Sequence, residues 1–365
     1  MTPTHDRIQL LAKACQDPSL IRFMGNISAS DLSAWLDTEL GHPDALDQFS
    51  PHGPLLSKAT APNTLLHIVS GNTPHAAFQS LLRGILLGSH NLIKLPSVGL
   101  PDLTDWIARL PETLQKMVET CETLTPDQQR KADAVIAIGS DDTIAAIQQQ
   151  ILPHQVFIPH GHKISIGIID GDLQNAAPLA ARDASLYNQR GCLSPHAYYV
   201  DESDPSHRGD ALKFAESLAT EMENFSQTNA PEPLNISEAG AVRNLRETTR
   251  FAATNSDSTR LWESTDNLDW TVIYQASPTL NLSCLNRCIY VKPKPTELNH
   301  HTLGNEVQHL STIAIHPFST ATAQQLSSLP AHRICPLGQS QNPSIFWHQD
   351  GFAPLASLVK WQDLG

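Results

Sequence analysis

Cys192 is the first residue whose type and surroundings could support catalysis. It lies in Asn188-Gln-Arg-Gly-Cys-Leu-Ser-Pro195, between a predicted helix and a predicted strand. A thiolate at this position could attack a carbonyl carbon, and the Cys192 backbone N–H could stabilise the resulting oxyanion. A buried, inert thiol is the more common role of any single cysteine. Position alone therefore does not distinguish Cys192 from the other five cysteines.

Two polar turns follow predicted strands. Asn72, in Ser70-Gly-Asn-Thr-Pro74, lies where ligands bind in doubly wound sheets, and its amide could donate to an oxyanion. A plain Gly-Asn turn is the alternative. Gly139 and Ser140 precede a predicted helix, a place where backbone N–H groups can bind phosphate. The dinucleotide fingerprint G-x-G-x-x-G does not accompany them.

Lys94 ends a short, apolar predicted strand. Its ammonium group could reach a ribose or a phosphate, or could simply extend into water. Asp141 and Asp142 begin the helix after Ser140, where carboxylates complement the helix dipole without any catalytic role. These residues therefore suggest a nucleotide site only when taken together.

The elements that would position these residues alternate between strands and helices. This order predicts a parallel sheet covered on both faces, with right-handed, doubly wound connections. The predicted strands are 63–70, 91–95, 134–138, 155–158 and 163–169, and the predicted helices are 76–87, 102–120 and 143–150.

A second α/β region follows residue 185. Its predicted helices are 209–226 and 238–253, and its predicted strands are 197–200, 270–275, 289–291 and 311–315. The tail 333–351 is rich in Gly, Pro, Gln and aromatic residues and is predicted to be an ordered loop. We predict an N-terminal helical extension at 1–50, a nucleotide-binding domain at 51–165, a catalytic domain at 166–330 and a C-terminal segment at 331–365.

Composition excludes several classes of protein. The 24 Lys and Arg against 37 Asp and Glu give a net charge of −13, which argues against a globally basic nucleic-acid-binding chain. No apolar run reaches the length of about 20 residues that a membrane helix needs, and the first six residues are polar. Six scattered cysteines are typical of a reducing, cytoplasmic setting.

A metal site is not expected, because Cys284 and Cys288 lack a second ligand pair and the 17 His are dispersed. Lys292 and Lys294 are predicted to be exposed charges. Such a basic patch could also offset the negative charge that hinders anionic acyl carriers.

Several segments, in order, resemble the LuxC-like acyl-CoA (fatty-acyl) reductases of the aldehyde dehydrogenase superfamily. They are His67-Ile-Val-Ser-Gly-Asn-Thr-Pro74, Asn91-Leu-Ile-Lys-Leu-Pro-Ser97, Ala137-Ile-Gly-Ser140, His160-Gly-His-Lys-Ile-Ser165, Asn188–Cys192 and Trp347-His-Gln-Asp-Gly351. The resemblance extends from about residue 63 to 361 and implies an aldehyde-dehydrogenase-like α/β fold, with a doubly wound cofactor domain and an α/β catalytic domain.

The resemblance also implies roles for residues. Cys192 would form an acyl-enzyme from an acyl thioester, and Asn72 would help to hold the oxyanion. Lys94, Ser97, Gly139 and Ser140 would bind NADPH or NADH, whose hydride releases the aldehyde.

Two departures bear on the reaction. Pro159 stands where hydrolytic relatives carry a general-base Glu, which favours reduction over hydrolysis. Ser97 replaces a Glu that would repel a 2′-phosphate, which favours NADPH.

The resemblance implies a homo-oligomer. The carrier stays open between coenzyme A, an acyl carrier protein and an acyl-protein synthetase partner. Two other functions also stay open: acyl transfer or thioester hydrolysis without hydride, and a non-catalytic subunit of an acyl-activating complex.

Overall fold

The computed structural model describes residues 2–365 and divides into two compact units. The first unit comprises the chain up to residue 162 together with 342–365, and the second comprises 163–341. Packing thus joins 1–50 to the first unit and divides 331–365 between the two units. The functional roles assigned to the four predicted segments stay predictions. Within residues 2–365, no helix is both long and apolar enough to span a bilayer.

The first unit alternates strands with helices. Its helices are α1 (Thr4–Ala14), α2 (Pro18–Met24), α3 (Ala29–Leu40), α4 (Pro74–Leu87), α5 (Pro101–Arg109), α6 (Glu112–Gln115), α7 (Pro126–Lys131) and α8 (Asp141–Gln148). Its strands are β1 (Ser50–His52), β2 (Leu55–Thr60), β3 (Thr64–Ile68), β4 (His90–Lys94), β5 (Val118–Cys121), β6 (Ala134–Ile138) and β7 (Val156–His160), joined by the C-terminal strand, here β15 (Lys360–Leu364).

The main sheet of this unit has the order β5-β4-β3-β6-β7, and all of its strands are parallel. From β3 the chain first winds outward through β4 and β5, and then returns to build β6 and β7 on the other side. The gap between the carboxyl ends of β3 and β6 is therefore a topological switch point, where open α/β sheets bind ligands. The predicted doubly wound sheet is confirmed.

Helix α4 is buried along most of its length, because its Leu, Ile and Phe residues face the sheet on one side and other helices on the other. Phe78 stacks on Phe23 of α2 at 5.6 Å between ring centroids and meets Trp106 of α5 edge-on at the same distance. The N-terminal helices therefore cover α4 and belong to the packed unit. A small antiparallel sheet, β1-β2-β15, ties the chain's C-terminus to residues 50–60.

The second unit has a mixed, mostly parallel sheet. Its strands are β8 (Ile164–Ile169), β9 (Pro195–Val200), β10 (Thr259–Glu263), β11 (Thr271–Gln275), β12 (Cys288–Pro293), β13 (Leu310–His316) and β14 (Arg333–Pro336). Its helices are α9 (Leu173–Ser185), α10 (Asp210–Thr228), α11 (Ile236–Asn255), α12 (His300–Leu303) and α13 (Thr320–Gln325).

The strand order of this sheet is β10-β11-β12-β9-β8-β13-β14, and only the β10–β11 pairing is antiparallel. Side chains alternate between its two faces, so that Tyr198 packs on one core and Tyr199 on the other. Small residues of α9 and apolar residues of α10 cover the face that carries Tyr198. Both faces are buried, as expected for parallel strands.

Some sequence predictions were wrong. The predicted helix 102–120 ends at Arg109, because Pro111 interrupts it, and Val118–Cys121 pairs with β4 as a strand. The predicted tail loop contains β14, which pairs with β13. Strands β1, β2, β10 and β15 were not predicted. All four are short, and three of them lie at a sheet edge, so no buried apolar run marks them.

The prediction that Lys292 is an exposed charge was also wrong. Its side chain is fully buried at the carboxyl end of β12, where Nζ donates to Gln275 Oε1 at 2.8 Å, Ser277 O at 3.1 Å and Asn281 Oδ1 at 2.9 Å. Burial lowers the pKa of Lys292 to about 8. The ammonium group fixes the segment after β11 to β12, while neighbouring Lys294 pairs with Asp201.

Candidate functional site

Predicted site residues of the first unit lie at the carboxyl ends of three adjacent strands. Asn72 follows β3 and is exposed, Lys94 is the last residue of β4 and is half-buried, and Gly139 follows β6. Because β4, β3 and β6 are neighbours in one parallel sheet, these residues share one edge of it. The structure therefore brings them to the edge at which the switch point lies.

A close contact joins the Asn72 turn to the segment that carries Ser97. A Cβ atom at Gly71 would lie 2.4 Å from Val98 Cγ2, so a larger residue at 71 would require the Val98 side chain to move. Ser97 is exposed beside Val98 in the loop after β4. Asn72 and Ser97 thus flank one packed pair of turns, which the sequence spacing alone did not show.

Ser140 is the N-cap of α8, and its Oγ accepts a hydrogen bond from Thr143 N at 3.4 Å. The first amides of a helix have no partner within the helix, so the amides at 141 and 142 suit an anion. Asp141 is engaged, because its Oδ1 accepts a hydrogen bond from His162 N at 2.7 Å. A switch point, a helix N-terminus and a nearby lysine are the features that a dinucleotide's phosphates and ribose require. The residues present therefore fit the phosphates and ribose of a dinucleotide.

Cys192 lies in the second unit, in a turn that precedes β9. The turn is closed by a hydrogen bond from Ser194 N to Gly191 O at 3.0 Å. Ser165 Oγ, on the neighbouring strand β8, donates to Cys192 O at 2.8 Å and accepts from Thr312 N at 3.2 Å. The Cys192 backbone is therefore anchored to the sheet while its side chain is exposed.

Exposure separates Cys192 from the other five cysteines. Cys15, Cys288 and Cys335 are buried, and Cys121 and Cys284 are half-buried. Burial raises the pKa of Cys15 to about 12 and that of Cys335 to about 11, which suppresses their thiolates at neutral pH. Cys192 is thus the cysteine most accessible to a substrate, a distinction that sequence position could not make.

The backbone just before Cys192 is strained. Tyr187, Asn188 and Gln189 all have positive φ, between 51° and 61°. A second such run, Leu285 to Arg287, precedes β12, and Asn286 N donates to Asn188 O at 3.0 Å. Consecutive left-handed non-glycine residues are costly and cluster at functional sites. We refer to residues 186–194 as the Cys192 segment.

A buried polar cluster in the first unit was missed by sequence reasoning. His160 Nδ1 lies 2.6 Å from Asp350 Oδ2, and both side chains are buried. Arg83, fully buried in α4, donates to Gln349 Oε1. Burial lowers the pKa of Arg83 to about 10, while Asp350 and Glu39 favour its charged form. The sequence did contain a signal for this cluster, namely Asp350 within the Trp347-His-Gln-Asp-Gly351 motif. A carboxylate that is buried needs a hydrogen-bonded or charged partner.

Comparison with known proteins identifies the family. A family model described as Acyl-CoA reductase (LuxC) matches residues 5–361. The chain belongs to the LuxC family of acyl-CoA reductases. Membership in LuxC classes it as an oxidoreductase that acts on acyl groups, and the resemblance noted from the sequence is confirmed.

Individual relatives agree with the LuxC assignment. The chain is 23% identical to the long-chain acyl-protein thioester reductase of Aliivibrio fischeri over 351 residues, covering 92% of this chain and 70% of that protein. It is 25% identical to the protein of the same name from Vibrio harveyi over 352 residues, covering 92% and 71%.

Solved structures show the fold. The NAD-dependent benzaldehyde dehydrogenase of Corynebacterium glutamicum superposes with a TM-score of 0.68 at 13% identity, covering 100% of this chain and 84% of that one. The methylmalonate-semialdehyde dehydrogenase DddC of Oceanimonas doudoroffii gives 0.67 at 13% identity, covering 99% and 84%. The predicted aldehyde-dehydrogenase-like fold is confirmed. Between residues 2 and 365, no group of three or more His, Cys, Asp or Glu is arranged to hold a metal ion.

Proposed function

We propose that this LuxC family member reduces an acyl thioester, with acyl-CoA as the first substrate to test, to an aldehyde through an acyl-enzyme on Cys192. The observation that carries the proposal is the exposed Cys192 side chain on a backbone anchored by Ser165, in a chain of this family. An accessible thiol on a fixed backbone is what repeated acylation requires.

The chain's own residues would carry the acylation step. The Cys192 thiolate attacks the thioester carbon, a new C–S bond forms, and the bond to the carrier sulfur breaks. The carrier leaves as a thiolate and takes up a proton. The Cys192 N–H, on the backbone that Ser165 anchors, would donate to the oxygen that becomes negatively charged in this step. Asn72 Nδ2 is the second donor that the family resemblance implies.

Lys94, Ser97, Gly139 and Ser140 would hold a nicotinamide dinucleotide. When bound, a reduced nicotinamide supplies the hydride that converts the acyl group to the aldehyde. Ser97 in place of a carboxylate favours NADPH, because a phosphate on the ribose would meet no adjacent negative charge there.

The residues that stand where hydrolytic relatives carry a general-base Glu support reduction over hydrolysis. Pro159 lies within β7 and carries no titratable group, and the neighbouring His160 is buried against Asp350. Neither residue offers an exposed carboxylate to activate water. The acyl-enzyme would therefore persist until hydride arrives.

The test follows nicotinamide absorbance with a panel of acyl-CoAs of different chain length, using NADPH and NADH in parallel. Cys192→Ala is expected to abolish both aldehyde formation and covalent labelling by radioactive acyl-CoA. Cys121→Ala and Cys284→Ala remove half-buried thiols and serve as matched controls, expected to stay within about threefold of wild type.

Other results would point elsewhere. Labelling that persists in Cys192→Ala would assign the nucleophile to another residue. Labelling of wild type that is never followed by nicotinamide oxidation would indicate acyl transfer instead of reduction.

A further inference from the structure

Cys284 and Cys288, which the proposed reaction does not use, lie next to each other in the second unit. Cys284 is half-buried, and Cys288 is fully buried at the start of β12. The two thiols share a hydrogen bond. A structural metal needs more ligands than this pair supplies, whereas two neighbouring thiols are sufficient for a disulfide.

A left-handed turn brings the two thiols together. Leu285, Asn286 and Arg287 have φ between 55° and 64°, and Cys288 N donates to Leu285 O at 3.1 Å. Cys284 Sγ lies 3.8 Å from Leu285 O, and Cys288 Sγ lies 3.8 Å from Asn286 O. Both sulfurs therefore lie against carbonyl groups of one turn, and a bond between them would act directly on that turn.

The surroundings favour the thiolate of Cys284 over that of Cys288. The hydrogen bond from the Cys288 thiol holds the pKa of Cys284 below its ordinary value, and the Arg246 guanidinium acts in the same direction. Arg246 is buried, and its Nε also lies 3.2 Å from Glu263 Oε2. The same hydrogen bond, together with burial, raises the pKa of Cys288. Cys284 is therefore the nucleophile of the pair, and Cys288 is the thiol that attacks second.

The turn that holds the two thiols also supports the Cys192 segment. Asn286 N donates to Asn188 O at 3.0 Å, and Ser283 Oγ donates to Gln189 Oε1 at 3.3 Å. Asn188 and Gln189 both belong to the left-handed run of that segment. The two left-handed runs are therefore joined by hydrogen bonds from backbone and side chain.

Gln189 extends this support to the far side of Cys192. Its Nε2 donates to Pro195 O at 2.8 Å, three residues beyond the cysteine. The turn that carries the two thiols is thus bonded to the chain before Cys192 and, through Gln189, to the chain after it. A change in that turn would reach the backbone of Cys192 through these bonds.

We propose that Cys284 and Cys288 form a reversible disulfide on exposure to hydrogen peroxide, and that this disulfide weakens the support of the Cys192 segment. A disulfide bond is only about 2 Å long, so both sulfurs must leave their carbonyl contacts and draw the turn with them. The bond from Asn286 N to Asn188 O is then displaced. The consequence for turnover rests on the proposed function, whereas the disulfide itself does not.

The oxidation proceeds in two steps. The Cys284 thiolate attacks one oxygen of hydrogen peroxide, an S–O bond forms, the O–O bond breaks and hydroxide leaves. The Cys288 thiol then attacks Cys284 Sγ, the S–S bond forms, the S–O bond breaks and water leaves with the Cys288 proton. The dithiol loses two electrons, and the peroxide is reduced to water. A thiol reductant reverses the reaction by exchange.

The first test detects the disulfide in Cys192→Ala, which lacks the exposed thiol. The reduced protein is treated with hydrogen peroxide, blocked with iodoacetamide and digested for mass spectrometry. A peptide that contains unblocked Cys284 and Cys288, lighter by two hydrogen atoms, is expected, and dithiothreitol should restore both thiols. Adding Cys121→Ala removes another half-buried thiol and should leave the product unchanged. Adding Cys288→Ala should instead leave Cys284 as a sulfenic acid. Absence of the disulfide would overturn the proposal.

The second test measures the support of the Cys192 segment by amide hydrogen exchange. In wild type, the amide of Asn286 should exchange at least about fivefold faster after oxidation, because its bond to Asn188 O is displaced. Cys284→Ser cannot form the disulfide, and its exchange should not respond to the same peroxide. This variant keeps Cys192 and therefore controls for oxidation of that thiol. Equal exchange in reduced and oxidised wild type would overturn the proposed effect on the segment.

Turnover separates this proposal from the proposed function. After peroxide treatment and removal of the peroxide by catalase, kcat with acyl-CoA should fall about fivefold further in wild type than in Cys284→Ser, and dithiothreitol should restore it. An equal fall in the two proteins would assign the loss to Cys192 oxidation and refute the proposed regulation alone. A wild type that forms the disulfide but reduces no acyl-CoA would refute the proposed function alone.

Discussion

The two units carry their candidate chemistry at opposite ends of parallel strands. In the first unit, Asn72, Lys94 and Gly139 lie at the carboxyl ends of β3, β4 and β6. In the second unit, Cys192 precedes β9, and Asn286 precedes β12. The carboxyl end of β12 instead holds Lys292, whose three acceptors are all neutral protein atoms.

The difference has a physical cause. At the carboxyl edge of the first sheet, chain reversals at the switch point and the N-terminus of α8 bring polar groups to one edge without any left-handed non-glycine residue. At the amino edge of the second sheet, two left-handed runs are needed to shape the chain before it enters β9 and β12. The general rule for ligand sites in α/β sheets therefore covers the candidate residues of the first unit but not Cys192 of the second.

The largest expected effect concerns Asn72, the proposed oxyanion donor of the first unit. Asn72→Ala should lower kcat roughly a hundredfold, because losing one such donor costs about 3 kcal/mol. Asn63→Ala removes an exposed amide at the opposite end of β3 and is the matched control. Steady-state kinetics with acyl-CoA would measure both. If kcat of Asn72→Ala fell by less than about threefold, Asn72 would be only a turn residue, and the carboxyl edge would serve cofactor binding alone.

A comparable effect on stability is expected at the carboxyl edge of the second unit. Burial lowers the pKa of Lys292 from 10.5 to about 8, so between these pH values the unfolded chain binds more protons than the folded protein. The contribution of Lys292 to the free energy of unfolding should therefore rise from pH 8 to 10.5, by up to about 3 kcal/mol, and stay flat below pH 8. The buried thiols of Cys15 and Cys335 contribute with the opposite sign over part of this range, because their pKa values are raised in the folded protein. Denaturant unfolding of wild type and Lys292→Met at a series of pH values would isolate the Lys292 contribution as the difference between the two proteins.

Lys292→Met should remove that rise, whereas Lys294→Met, which loses the partly exposed ion pair with Asp201, should retain it. The same pH dependence in wild type and Lys292→Met would mean that Lys292 is not the buried cation of this edge.

A smaller effect is expected at the amino edge of the second unit. Ser165→Ala removes the donor to Cys192 O and should lower kcat about tenfold through displacement of the thiol, with KM little changed. Ser165→Thr keeps the hydroxyl and should restore activity. The rate of Cys192 alkylation by iodoacetamide provides a second measurement. If kcat fell equally in Ser165→Ala and Ser165→Thr, the hydroxyl would have no role in positioning Cys192, and Ser165 would act only in packing.

The smallest effect separates helix capping from anion binding at Ser140. Ser140→Ala should cost about 1 kcal/mol of stability, because the N-cap is lost. Ser140→Asp keeps a good N-cap, so stability should be retained, but its charge should raise KM for the dinucleotide about fivefold. Thermal unfolding and cofactor titration would distinguish the two. Unchanged KM in Ser140→Asp would place the phosphates away from α8.

Sequence patterns were most informative where a long apolar period or an ordered set of motifs was available. The core of strands β3, β4, β6 and β8 followed from buried apolar runs, and the family followed from the order of its motifs. Short edge strands such as β10 and β15 lacked such a run. An edge strand pairs with a neighbour on one side only, and few of the side chains in these two strands are buried. The burial of Lys292 was missed for another reason. A Lys-Pro-Lys-Pro segment has the composition of an exposed turn.

By itself the sequence determined the alternation of strands and helices, the doubly wound sheet of the first unit and the six residues put forward for the site. These features depend on local period and on short motifs. Only the tertiary structure decided which of six cysteines is accessible, which lysine is buried and which two thiols share a hydrogen bond. Those properties depend on residues distant in the chain, such as Ser165 beside Cys192 or Asn286 beside Asn188, and no local pattern records such contacts.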